Sequence, residues 1–125
     1  MNQSPAVRET FSRDDRLRKR RDFEECYASG IRASGSHLQV FLLPEARPVR
    51  LGLSVPRRVG PAVTRNRVRR RLREIFRRNR AALAGRGGRL VVNARPSAAA
   101  ASFQELTSDY LRALARALTR SAPAP

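Results

Sequence analysis

The chain has no tryptophan, one cysteine, one histidine and only ten acidic residues among 125. Each scarcity closes off a class of chemistry. Cys26 alone cannot form an internal disulfide or a cysteine-based zinc site, and His37 is the only histidine, so a protein-only metal hydrolase of the usual kind is excluded. With so few candidates, no nucleophile, base and orienter can be assembled, and neither catalytic side chains nor a metal site are expected. Cys26 reads as a small buried side chain on a helix, and His37 as an ordinary polar residue at a strand edge. No window approaches the roughly 18 apolar residues of a membrane span, and residues 1–13 hold no apolar targeting core. A cytoplasmic location without membrane contact is expected.

What the chain does hold is positive charge. Its length suits one domain, 41% of its residues are apolar, enough for a modest core, and 27 basic residues against ten acidic ones leave a net +17. A folded domain that binds a polyanion follows from that balance. Lys19 is the only lysine, so the charge resides on planar guanidinium groups suited to bidentate phosphate contacts, although a codon bias toward arginine would give the same composition.

Residues 1–15 and 119–125 lack periodicity and read as tails around a single domain over 16–118. Phe23, Cys26 and Tyr27 fall at i, i+3 and i+4, a short first helix with Gly30 in C-cap position. A short strand around 31–34 precedes the run 38–43, which puts Leu38, Val40 and Leu42 on one face and Gln39, Phe41 and Leu43 on the other. Val49, Leu51, Leu53 and Val55 then alternate with Arg50, Gly52 and Ser54, whose small members leave room for something to lie against that face. After Gly60-Pro61 the period changes to 3.6, with Val68, Leu72, Ile75 and Phe76 forming one narrow apolar stripe. Residues 89–95 return as a strand, and Ser102 with Glu105 makes a capping box for a last helix. The expected fold class is α/β, an αβββαβα two-layer sandwich with a four-stranded sheet.

From Arg57 to Arg80 the sequence carries 11 arginines and a single acid, Glu74, a local net of +10. Such a run costs stability by i, i+4 repulsion, between Arg65 and Arg69 for example, and phosphate would relieve it. A merely solvated basic face normally intersperses glutamates, and a membrane-surface helix needs a wide apolar face; this segment has neither. Arg65-Asn66-Arg67 lies in the first two turns, where free backbone N–H groups and the helix dipole already favour an anion.

The stretch L-G-L-S-V-P-R-R-V-G-P-A-V-T-R-N-R-V-R-R-R-L-R-E, Leu51 to Glu74, closely resembles the hallmark of the protein subunit of bacterial ribonuclease P, including its RNR motif. Residues 16–30 look like that family's first helix and 91–96 like its strand after the basic helix, so the resemblance spans roughly 16–118. It implies a fold with a left-handed βαβ crossover. It also implies partnership with a catalytic RNA, which uses Mg²⁺ held mainly by the RNA to remove the 5′ leader of precursor tRNA, with no obligate protein partner. On this resemblance Arg65, Asn66, Arg67, Arg69, Arg70, Arg71 and Arg73 face RNA, joined by the loop pair Arg57 and Arg58. Phe23, Tyr27 and Phe41 occupy positions matching a cleft that takes the single-stranded leader. The family often has lysine at 57, 58, 69 or 70, which keeps the charge, and an aliphatic residue at Cys26, which favours a packing role.

A groove with basic walls and a few aromatics binds an unpaired strand with little sequence preference, at roughly 1–3 kcal/mol per stacked base. Periodicity leaves Phe23 open between core and cleft, while Gly52 and Ser54 beside Phe41 favour the cleft for that ring. The alternative function is a ribosomal or other structural RNA-binding protein, which only the 51–74 stretch argues against. A DNA-reading protein ranks third, since the basic helix has no helix-turn-helix partner and few base-reading amides apart from Asn66 and Asn79.

Overall fold

The structure, a computed structural model, describes residues 13–121. The segments of period two become β1 (Ile31–Ser34), β2 (Leu38–Pro44), β3 (Arg50–Ser54) and β4 (Gly88–Ala94), joined in the order β1-β2-β4-β3. β2 pairs antiparallel with β1 and β4, whereas β3 and β4 run parallel. A parallel pair needs a crossover rather than a tight turn, and α2 (Ala62–Arg78) supplies it. With α1 (Arg20–Ser29) before the sheet and α3 (Phe103–Arg120) after it, the observed order is the expected αβββαβα.

The alternation in β2 decides which helices lie where. Leu38, Val40 and Leu42 join Leu51, Leu90 and Val92 in the main core, packed against Leu72, Ile75 and Phe76 of α2 and Leu106, Tyr110 and Leu114 of α3. Phe41 and Val91 point the other way and form a smaller cluster with Leu17 and Cys26, with Phe23 against it. Among the described residues, α1 and the Leu17 segment cover part of this second face, and a hollow beside Asn93 and Gln39 stays open. Gly52 is what lets Phe23 in: a Cβ there would meet the Phe23 ring at 2.7 Å. Gly30 is no left-handed cap, since its backbone is extended; Pro61 is the N-cap of α2 rather than its first residue.

Order extends beyond the expected domain limits at both ends. Arg13–Asp15 forms a 3-10 turn, Asp15 is buried with an oxygen 3.1 Å from Arg80 Nη2, and the Leu17 N–H donates to the Leu51 carbonyl at 2.8 Å. The remainder of the N-terminal stretch read as a tail, 1–12, lies outside the described residues, as does 122–125; α3 itself continues to Arg120. No helix among the described residues is long and apolar enough to cross a membrane.

α3 starts from the expected capping box, Ser102 Oγ accepting from the Glu105 N–H while Glu105 Oε1 accepts from the Ser102 N–H. Two turns further on, Asp109 is 1% exposed. Its Oδ1 accepts from the Ser36 N–H at 2.7 Å and its Oδ2 from the His37 N–H at 2.9 Å, which fastens the β1–β2 turn to the helix. Asp109→Ala strands two backbone donors, and urea unfolding is expected to show a loss of about 2–4 kcal/mol; a loss below about 0.5 kcal/mol would contradict this anchoring role.

Cys26 is fully buried, and that burial pushes its thiol up to about 11, against the opposing pull of the Arg89 charge. At pH 8 about one thiol in a thousand is then the reactive thiolate. Iodoacetamide should leave the native protein unlabelled at pH 8 and label it readily in denaturant. Because the thiol stays protonated longer in the folded chain, its contribution to stability is complete below about pH 9 and is lost as pH rises toward 11.

Candidate nucleic-acid interface

α2 exists despite its charge because its apolar edge is fully used. Val68, Leu72, Ile75 and Phe76 are all buried, and at about 1.5–3 kcal/mol per side chain their burial exceeds i, i+4 repulsion of about 0.2–0.5 kcal/mol per arginine pair. Two arginines also brace the helix: Arg67 Nη2 donates to the Ala99 carbonyl at 2.9 Å and Arg71 Nη1 to the Ala101 carbonyl at 3.1 Å. Glu74 receives both Arg77 and Arg78, which hold its carboxyl down at about 2. Asn66 and Arg70 face solvent, with Arg69 Nη1 donating to Asn66 Oδ1 at 2.9 Å.

The entry to the helix is open to an anion. Pro61 provides no side-chain cap, the first turn contains no acid, and Arg57 and Arg58 stand exposed in the preceding 3-10 turn, Arg57–Val59. Arg65 turns back to donate to the Gly60 carbonyl at 3.1 Å. Between α2 and the strand-like segment at Arg16, a depression of about 320 Å³ is lined by Arg16, Arg18, Arg69 and Arg73 over Leu17 and Leu51. Burial and the neighbouring charges of Arg16, Arg69 and Arg70 depress the Arg73 pKa, the condition of like charges gathered in one place. A bound phosphate would reverse that condition.

Several of the described acids are engaged away from this surface. Asp22 and Glu25 of α1 and Glu45 after β2 converge on the guanidinium of Arg89 at 2.5–3.0 Å. These contacts raise the Arg89 pKa and tie α1 to the sheet at one end. Asp15 pairs with Arg80, and Asp109 holds the β1–β2 turn. Among the described residues, no group of three or more His, Cys, Asp or Glu side chains is disposed to hold a metal ion.

α1 leaves a groove along the second face of the sheet. Tyr27 is 40% exposed and meets the Phe41 ring edge-on at 4.9 Å, with Phe23 6.5 Å to its other side. The three aromatics expected at a cleft do come together, but unequally. Phe41 is 8% exposed and sits beneath Tyr27, so it supports the groove instead of offering a face. Phe23 of α1 fills the space over Gly52, whereas Ser54 stays open to the groove. Beyond Tyr27 the groove widens into a hollow of about 430 Å³ lined by Gln39, Ser54, Arg58, Asn93 and Arg95 between Pro56 and Pro96.

A strand, a basic turn and an arginine helix in that order are the arrangement that the 51–74 stretch anticipated. The Ribonuclease P family model matches residues 11–118. The chain belongs to the ribonuclease P protein family. It is 44% identical over 104 residues to the ribonuclease P protein component of Acidothermus cellulolyticus, covering 81% of this chain and 86% of that protein. The corresponding protein of a Nocardioides species is 46% identical over 105 residues, covering 81% and 89%. Among solved structures, the RNase P protein from Thermotoga maritima superposes with a TM-score of 0.73 at 32% identity, covering 81% of this chain and 96% of that one. The Staphylococcus aureus RNase P protein gives 0.75 at 26% identity, covering 82% and 94%.

The nine residues singled out from sequence, eight arginines and an asparagine, divide by environment. Arg57, Arg58, Asn66 and Arg70 are exposed, Arg69 and Arg73 line the depression, and Arg65, Arg67 and Arg71 each commit a donor to a backbone carbonyl. Sequence reasoning missed Arg16, Arg18, Gln39, Asn93 and Arg95. The only signal for the amides was their place on the non-core face of β2 and β4. Arg58→Ala and Arg70→Ala are each expected to lower the salt dependence of RNA binding by about one unit in slope without changing Tm. Arg67→Ala should also cost about 1–2 kcal/mol of stability through the lost carbonyl bond; unchanged slopes for the first two would put those arginines in solvent.

Proposed function

We infer that the chain is the protein subunit of a ribonucleoprotein ribonuclease P and acts in forming the 5′ end of tRNA. The family match over residues 11–118 carries this reading, and it favours ribonuclease P over a ribosomal or other structural RNA-binding protein. The coarse part, membership of an endoribonuclease with an RNA subunit, follows from the family. The division of labour is our proposal: the RNA subunit carries out hydrolysis, and the protein binds that RNA and the precursor's leader.

Three features support the division. The α2 surface with Arg57 and Arg58 offers several phosphate contacts on one rigid element and suits a folded RNA partner. The exposed Tyr27 ring, stacked edge-on against Phe41, stands beside a polar hollow with Arg58 and Arg95 in its lining, which suits an unpaired strand. The carboxylates best placed to accept a cation instead hold arginines or backbone N–H groups, which favours Mg²⁺ residing on the RNA. This reading locates the protein in the cytoplasm with its RNA and calls for no obligate protein partner.

The test is reconstitution with a bacterial ribonuclease P RNA at low Mg²⁺. Adding the protein is expected to raise cleavage of precursor tRNA at the mature 5′ end, and shortening the leader to one nucleotide should reduce the protein's contribution to substrate affinity. Failure to stimulate at every Mg²⁺ concentration would refute the assignment. Equal stimulation with and without a leader would remove the groove from it.

A further inference from the structure

Residues 15–18 form a short strap whose side chains alternate, Asp15 and Leu17 buried, Arg16 and Arg18 exposed. The strap meets β3 through the parallel bridge of Arg16 with Leu51 and the bond from the Leu17 N–H to the Leu51 carbonyl. Its period of two sends both arginines outward, where they line the 320 Å³ depression together with Arg69 and Arg73 of α2. Four cations around one depression repel. Burial is the main cause of the lowered Arg73 pKa, and Arg16 contributes most among the neighbouring charges. The strap therefore needs an anchor that offsets this repulsion.

That anchor stands at the start of the strap. Asp15 Oδ2 meets Arg80 Nη2 at 3.1 Å, and the two side chains are only 5% and 11% exposed. Arg80 is itself held, its guanidinium lying 4.7 Å from the centre of the Phe76 ring on the buried edge of α2. An ion pair so far from water is screened little by salt, and loss of one partner leaves the other as an uncompensated buried charge. Arg80 opens the 3-10 turn Arg80–Leu83 directly after Asn79, the C-cap of α2. The pair thus ties the strap to the same helix that carries Arg69 and Arg73.

We propose that the Asp15–Arg80 ion pair is a latch that sets Arg16 and Arg18 beside Arg69 and Arg73, completing a four-arginine seat for backbone phosphate of the RNA subunit. Asp15 and Arg80 are positioning residues, and the strap arginines make the contacts. This rests on the reading that the α2 surface meets that RNA. The consequence runs against simple charge counting. Asp15 is an acid in a chain that binds a polyanion, so removing its charge raises the net positive charge, yet binding weakens because two arginines leave with the strap.

The experiment measures binding of the full chain to a bacterial ribonuclease P RNA across a salt series. Asp15→Asn is expected to lower the salt slope by about two, so that its deficit against the wild type shrinks about tenfold between about 50 and 200 mM salt. The double variant Arg16→Ala/Arg18→Ala should show the same slope, and adding Asp15→Asn to it should change the slope no further. In the free protein, trypsin should cut after Arg16 and Arg18 faster in Asp15→Asn and in Arg80→Ala, while sites within α2 keep their wild-type rate; general destabilisation would speed both. An Asp15→Asn slope equal to or steeper than wild type, a further loss in the triple variant, or strap cutting at the wild-type rate overturns the latch and leaves the assigned function standing. So does an unchanged slope in Arg16→Ala/Arg18→Ala, whose ion pair is intact, however Asp15→Asn folds. Failure of the wild-type protein to bind the RNA overturns both.

Discussion

The apolar edge of α2 has to stay buried for anything else in this protein to work. A 17-residue helix with so many arginines and one glutamate repels itself, and no intrinsic propensity compensates for that in isolation. Four side chains, Val68, Leu72, Ile75 and Phe76, fix it to the sheet, and Arg67 and Arg71 reach neighbouring carbonyls to hold its angle. Because the anchoring comes from one edge and from neutral acceptors, the exposed guanidinium groups need no carboxylate partners. A bound phosphate would meet a surface whose repulsion has already been met by folding, and would return part of that cost.

The same economy governs the acids. Asp22, Glu25 and Glu45 surround Arg89, which belongs to β4 and lies far from α2 in the sequence, and the carboxylates of Asp15 and Asp109 are buried in structural roles. The Arg89 cluster pins α1 at one end of the sheet, and the exposed Tyr27 marks where α1 stops covering it. The arginine face of α2 and the groove adjoin at Arg58, which is exposed in the turn before α2 and lines the hollow.

Much of this could be read from local pattern. The alternation in 38–43 and 49–55, the stripe from Val68 to Phe76 and the Ser102–Glu105 box each depend on neighbours within one or two turns, and each appears as expected. What escaped depends on distant segments meeting. Phe41 looked open because its cross-strand neighbour is a glycine, yet Phe23 fills that space. Asp109 occupies a position that a helix pattern treats as merely polar, and its burial comes from the β1–β2 turn above it. Gln39 and Asn93 become a pair only once β2 and β4 are known to be adjacent, and the Arg16 segment joins the arginine cluster only by bridging β3.

We propose that the α2 face meets the RNA subunit while the sheet groove meets the leader. Because Cys26 is buried and unreactive, a hydroxyl-radical probe can be tethered selectively at Arg70→Cys or at Ser54→Cys in the assembled holoenzyme bound to precursor tRNA. Strand scission is expected in the RNA subunit from position 70 and in the precursor leader from position 54. Scission of the leader from position 70, or of the RNA subunit alone from position 54, would contradict it.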